Sequence, residues 1–175
     1  MNALENYLNR FGASVVNKTI GNLKRKKKVV TGALVNSVSF ELKKTNDGYQ
    51  VDFMMLDYGD FIDRGVSGSK KKRSYIDYKG KKQSSPFSFG KSRDGGLTRG
   101  LDKWIVMKGI APRDEKGRFI SRKSLKFLIA RKIYTQGKEG LAFFQKPLGL
   151  EYKRMASEIG KAVKLDILNN LRKWV

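Results

Sequence analysis

Residues 31–68, TGALVNSVSFELKKTNDGYQVDFMMLDYGDFIDRGVSG, carry three local signals in a fixed order. Thr31-Gly32-Ala33-Leu34 reads as a capped turn opening onto residues 35–42. Asn46-Asp47-Gly48 is a hairpin signal, because Asp-Gly tolerates the positive φ that tight β-hairpins require. It joins residues 37–44 to residues 49–55, two short runs rich in strand formers. Val38, Phe40 and Leu42 alternate with Ser39, Glu41 and Lys43, and Tyr49, Val51, Phe53 and Met55 alternate with Gln50 and Asp52. That period of two suits half-buried strands with one face on a core. The stretch closes on Asp57-Tyr58-Gly59-Asp60-Phe61-Ile62-Asp63-Arg64-Gly65, an aromatic and acidic cluster that stops at a glycine.

Helical periodicity flanks this hairpin on both sides. Leu4, Leu8, Phe11 and Val15, continued by Val16, Ile20 and Leu23, predict an amphipathic helix over 3–24. It runs into Lys24-Arg25-Lys26-Lys27-Lys28, and cations there suit a helix C-terminus, although five in a row exceed what capping needs. Leu101, Trp104 and Ile105 share one face of a short helix near 99–108. A further helix is predicted over 121–135, with Ser121 as N-cap and Leu125, Leu128, Ile129 and Ile133 inward. Leu148, Tyr152, Met155, Ile159, Val163, Ile167, Leu171 and Trp174 recur every three to four residues and predict a long final helix. The fold class is therefore α+β: an N-terminal helix, a small antiparallel sheet with a hairpin, a long C-terminal helix, and a long basic loop or arm. Residues 1–175 are read as a single domain, with the arm inserted at 66–100.

Composition narrows the chemistry. The 175 residues are 39% hydrophobic and 31% charged, so the chain has enough apolar material to fold. Cysteine and histidine are both missing, which removes thiol chemistry, Ser-His-Asp triads, His-based zinc sites and His general bases. The chain is read as a non-enzyme, with no catalytic, metal or cofactor-binding residue and no cofactor. Gly90-Lys91-Ser92 imitates the tail of a P-loop, but position 85 is serine where that motif needs glycine. Lys and Arg number 38 against 16 acids, a net charge of +22 that calls for an anionic partner, nucleic acid first. No apolar run approaches a membrane span, so no membrane contact is expected.

Two segments stand out as candidate sites. Residues 64–100 hold eleven Lys or Arg against two Asp, and their apolar residues are mostly aromatic. Lys70, Lys71, Lys72, Arg73, Lys79, Lys81 and Lys82 flank Tyr75 and Tyr78. Cations for phosphates and aromatics for stacking make up a non-specific nucleic-acid surface, and the same arm could reach an acidic protein partner. In the other segment, aromatics dominate small cores, so Tyr58 and Phe61 read first as packing residues. Asp57, Asp60 and Asp63 lie three apart, so a helical turn would line them up as an acidic ridge. Such a ridge could meet a basic neighbour, and three carboxylates could also hold Mg²⁺, the weaker reading. Trp174, at the end of the last helix, is read as packing against the core or a neighbouring subunit.

The ordered set resembles the tail-completion, or head–tail neck, proteins of long-tailed bacteriophages. That family carries a TG-x-L-x-x-S element, a hairpin, and a Y-x-x-F/Y-[IVL]-[DE]-x-G element. Here these are Thr31, Gly32, Leu34 and Ser37, then Tyr58, Phe61, Ile62, Asp63 and Gly65. Residues 140–148, GLAFFQKPL, are similar to the family's approach to its last helix. The likeness covers about 1–66 and 110–175, and the basic insertion at 68–98 departs from it. The resemblance implies a structural virion protein, assembled in the bacterial cytoplasm. Copies would form a ring in the neck around the DNA channel, beside portal or adaptor and tail proteins. On that reading Asp57, Tyr58, Asp60, Phe61, Asp63 and Trp174 are subunit-interface candidates, and the arm and the run at 24–28 face packaged DNA or a neighbouring protein. A stand-alone, non-specific nucleic-acid-binding accessory protein explains the charge equally well but not the order of motifs. A nuclease dependent on Asp or Glu is the third reading.

Overall fold

The computed structural model describes residues 2–25, 32–89 and 96–172. Lys26, Lys27, Lys28, Thr31, Gly90, Lys91, Ser92 and Trp174 lie outside the described residues. The fold is α+β, with an N-terminal helix, a small antiparallel sheet and a long C-terminal helix. The chain divides into two compact units. The first holds Met1–Asp63, Ile76–Gln83 and Leu141–Val175; the second holds Arg64–Tyr75 and Ser84–Gly140. The expected arm at 66–100 is thus shared between them.

In the first unit, helix α1 (Ala3–Arg25) buries Leu8, Phe11, Val15 and Leu23, the stripe its periodicity predicts. It packs along α6 (Gln145–Leu171) and against the hairpin of β1 (Ser39–Thr45) and β2 (Gly48–Met54). The hairpin register pairs Phe40 with Phe53 and Leu42 with Val51. Its last pair is Thr45 with Gly48, so Asn46 and Asp47 form the loop and the positive φ, 146°, falls on Gly48. Gly12 has a definite job on α1. A Cβ there would stand 2.2 Å from Cδ2 of Phe40, so only glycine lets that ring lie against the helix backbone. Phe53 then meets Phe11 and Phe144 edge-on, at centroid distances of 6.2 and 5.5 Å.

The start of the hairpin differs from the sequence reading. Residues 33–37 form a short helix, α2 (Ala33–Ser37), and the strand begins only at Ser39. Gly32 enters it with φ 79°, Asn36 N–H donates to the Gly32 carbonyl, and Ser37 Oγ donates to the Leu34 carbonyl. These local bonds close a helical turn before the strand can start. The turn brings Leu34 and Val35 into a core with Leu23, Val38 and Phe143, with Met55 and Ile62 packed around it.

Both long helices of this unit are capped by a carboxylate that is remote in sequence. Asp166 accepts the backbone N–H groups of Ala3 (2.6 Å) and Leu4 (2.9 Å), closing the N-terminus of α1. Asp63 accepts those of Phe144 (2.8 Å) and Gln145 (3.3 Å), closing the N-terminus of α6. The first turns of a helix present unsatisfied N–H groups and the positive end of its dipole, so an anion belongs there. Asp63 is carried by α3 (Tyr58–Arg64).

The second unit is built differently. Helices α4 (Gly96–Met107) and α5 (Arg122–Gln136) pack together, with Leu101, Ile105 and Ala130 as their buried apolar residues. Ser121 caps α5 by accepting the Ser124 N–H. The α5 face differs from the expected one: Ala130 is buried and Leu128 is 54% exposed. The inward face of α5 runs through 126, 129, 130 and 133, and Leu128 lies outside that arc. The rest of the unit is held by main chain. Val66 and Lys138 exchange both backbone bonds, Ser67 N–H donates to Phe87, and Ser69 and Lys70 donate to the Tyr134 and Thr135 carbonyls. Glycine permits the approach: a Cβ on Gly137 would lie 2.3 Å from the Val66 carbonyl oxygen.

Two short strands, β3 (Ser74–Ile76) and β4 (Lys82–Ser84), pair as a separate ribbon. Among the described residues, no helix is long and apolar enough to cross a membrane.

Candidate functional site

The residues of the 57–65 segment separate by role. Tyr58 and Phe61, read first as packing residues, are 42% and 44% exposed. Gly59, Ile62 and Asp63 turn inward on α3. Gly59 is buried beside Met55 and Leu34, and Ile62 packs on the core. The acidic ridge does not form. Asp57 is exposed and Asp60 half-buried, whereas Asp63 is fully enclosed under the start of α6. A spacing of three turns each successive residue by about 60° around a helix, enough to carry the third carboxylate inside. Asp63 is therefore a buried helix cap within the chain and is not available at its surface. Ser37, from the other motif, links α2 to the chain leading into this segment by accepting the Leu56 N–H at 3.1 Å.

The arm residues also separate. Lys70, Lys71 and Lys72 are exposed, but the Arg73 guanidinium is committed. Its Nε donates to the Gln136 carbonyl at 2.9 Å, and it pairs with Glu139 at 2.5 Å. Tyr75 lies under the Arg64 guanidinium, 5.7 Å from the ring centroid. In the first unit, Asp77 folds the next turn by accepting the Lys81 N–H at 2.8 Å. That bond, with help from Gln83, holds the Asp77 carboxyl below its ordinary range against the opposing effect of desolvation. The turn seats Tyr78 on α6. Its N–H donates to the buried Gln145 side chain at 2.9 Å, and its ring meets Tyr152 edge-on at 5.1 Å. Gly149 makes room, since a Cβ there would stand 2.7 Å from the Tyr78 carbonyl oxygen. Lys79, Lys81 and Lys82 remain exposed around this turn. Both tyrosines of the arm thus serve internal packing, while most of its lysines face solvent.

The α6 stripe is covered at its start and bare at its end. Leu148, Met155 and Ile159 are half-buried, but Ile167 is 55% and Leu171 59% exposed. Leu165 and Leu168 are exposed beside them. Near its first turns α6 is tied to α1 by Glu151, which accepts Ser14 Oγ at 2.8 Å and pairs with Lys18. Lys18, then Ser14, hold the Glu151 carboxyl below its ordinary value. Lys24 and Arg25, the described part of the first basic run, are exposed at the end of α1.

One surface escaped the sequence reading. Helix α5 carries Arg122, Lys123, Lys126, Arg131 and Lys132 and no carboxylate. Lys126 pairs with Asp102 at 3.4 Å, while Lys123, Phe127, Leu128, Arg131 and Lys132 face solvent. The signal was present as the absence of an acid between 116 and 138. An apolar periodicity assumed to be inward hid it.

Among the described residues, no group of three or more His, Cys, Asp or Glu side chains could hold a metal ion. No protein-family model matches this chain, and no curated protein or solved structure is significantly similar to it.

Proposed function

We propose that this chain is a structural protein of a tailed-phage particle, a ring-forming subunit of the neck that joins head to tail around the DNA channel. The observation that carries the reading is the convergence of the three motif stretches. Leu34 and Phe143, from the first and last motifs, share one core, and Asp63 of the second caps the helix that the last one introduces. Residues that look like a family signature are thereby accounted for as the parts that hold the subunit together.

Exposed apolar groups support assembly. Tyr58 and Phe61 on α3, and Leu165, Ile167, Leu168 and Leu171 on α6, are more apolar surface than a solitary subunit needs. In a closed ring each contact is heterologous, one patch against a different patch of the next copy. Portal or adaptor and tail proteins are the expected neighbours.

Imaging of particles that contain the chain tests this directly. Closed symmetric density of this fold between head and tail is the expected result; particles that carry the chain elsewhere, or lack it, overturn the reading. Paired Phe61→Asp and Leu171→Asp substitutions should leave the subunit folded and block incorporation.

A second reading, a stand-alone non-specific nucleic-acid-binding protein, is favoured by one observation. The second unit carries 19 Lys and Arg against 5 acids, a net of +14 in 69 residues.

A further inference from the structure

We propose that the open face of α5 is a binding track for single-stranded nucleic acid. The inference rests on nucleic acid being a partner of this chain, and it assigns that contact to a surface other than the tyrosine-bearing turn of the arm.

Lys123, Phe127 and Arg131 follow one another at steps of four along α5 and form one solvent-facing row, with Leu128 and Lys132 alongside. Successive members of the row are about 6 Å apart along the helix axis. Phe127 is 61% exposed, with Lys123 and Arg131 one turn away on either side, and among the described residues no ring packs on it and no cation lies over its face. By contrast, Tyr75 is covered by Arg64, Tyr78 packs on Tyr152, and Phe119 is covered by Arg113 at 3.9 Å. An open ring flanked by cations is the arrangement that stacks an unpaired base while its phosphates are neutralised on either side. A duplex offers no such face, because its bases are already stacked.

Apart from Lys126, which pairs with Asp102, the cations of this helix have no ion-pair partner among the described residues of the second unit. Arg122 and Lys123 sit in the first turn of α5, where the helix dipole disfavours cations, and the helix supplies no carboxylate four residues away to pair with them. At the other end, Ser69 and Lys70 N–H groups and the Arg73 side chain take up the Tyr134, Thr135 and Gln136 carbonyls. That seam sets exposed Lys70, Lys71 and Lys72 across the C-terminal end of α5. The lysine run thus adjoins the C-terminal end of the row, which is itself roughly 12 Å long from Lys123 to Arg131.

The test is fluorescence anisotropy of the full chain with a labelled oligothymidylate and a matched duplex, over a range of salt. The wild type should bind the single strand with affinity falling steeply as salt rises. The triple variant Lys123→Gln, Arg131→Gln, Lys132→Gln should weaken binding at least tenfold and flatten the salt dependence. Phe127→Ala should weaken single-strand binding about tenfold, leave the salt slope unchanged, and leave duplex binding unaltered. A charge-matched control, Lys79→Gln, Lys81→Gln, Lys82→Gln, should retain most of the affinity. All substituted residues are exposed, and circular dichroism checks that each variant is folded. Equal losses in the two triple variants would mean attraction by net charge alone and overturn the track. A Phe127→Ala protein that binds single strands like wild type overturns the stacking, and so does a duplex that is weakened as much. A wild-type chain that ignores single strands overturns the proposal outright. The neck reading is decided separately, by where the chain sits in particles.

Discussion

In the first unit a buried aspartate caps a helix of 27 residues, and phenylalanines fill the space between helix and hairpin. In the second, glycines let chain segments touch, and only Leu101, Ile105 and Ala130 are buried among the apolar residues described there. Charge divides along the same line. The first unit has 19 basic and 11 acidic residues, and the second has 19 and 5. Carboxylates in the first unit are spent on structure: Asp63 and Asp166 cap helices and Glu151 ties α1 to α6. The second unit keeps most of its cations unneutralised. The difference teaches that the unit held by side chains puts carboxylates to internal use, whereas the one held by main-chain bonds has few carboxylates to set against its cations.

The sharpest way to break this comparison is Asp63→Ala. It leaves two N–H groups of a buried helix end without their acceptor and removes the anion from the dipole, a loss of about 3 kcal/mol. Asp63→Asn keeps an acceptor oxygen and should lose about half as much. Urea unfolding measures both. A loss below about 1 kcal/mol for the alanine variant would mean that the cap does not hold this unit together.

Gly137→Ala addresses the other side. With φ at 69° and a Cβ directed at the Val66 carbonyl, it should cost about 2 kcal/mol. Hydrogen exchange should accelerate at the amides of 66–70 and 137–138 and leave those of α1 and α6 unchanged. Equal acceleration throughout would show that the units unfold as one, and the contrast would lose its meaning.

Thr19 sharpens the account of the first unit. It is fully buried in α1 and its Oγ1 has no hydrogen-bond partner. Thr19→Val replaces the hydroxyl by a methyl of the same shape and should raise stability by about 1 kcal/mol. A neutral or destabilising result in thermal unfolding would mean that the hydroxyl has a partner.

The smallest effect concerns pH. Glu151 titrates below its ordinary value of 4.5 in the folded chain, chiefly because of Lys18. A depressed carboxyl contributes stability that is complete above its unfolded pKa and is lost as pH falls through the folded one. Lys18 is half in solvent, which limits the pair to a few tenths of a kcal/mol. Lys18→Met should therefore unfold like wild type at pH 3 and slightly more easily at pH 7.

Much of the first unit was legible because its elements obey periodicity. The α1 stripe and the strand alternation appear where spacing puts them, as does the Ser121 cap in the second unit. Tyr58, Phe61 and Leu128 were misread because an apolar residue carries no mark of whether its face meets a partner. Asp63 was misread for a related reason: a carboxylate looks the same in sequence whether it meets solvent, a neighbour or a helix end. The seam of the second unit left no pattern at all, since main-chain bonds between 66–70 and 134–138 depend on no particular side chain except the permitting glycines.

The sequence alone determined the α+β class, the two long helices, the hairpin and its turn, and the excess of positive charge. Each follows from local spacing, backbone preference or a count of ionisable groups. Only tertiary structure decided that Asp63 closes α6, that Tyr78 packs on Tyr152, and that α5 turns Phe127 and its flanking cations outward. Those outcomes depend on which surfaces meet across long stretches of chain, and contact between remote residues leaves no local trace in the order of amino acids.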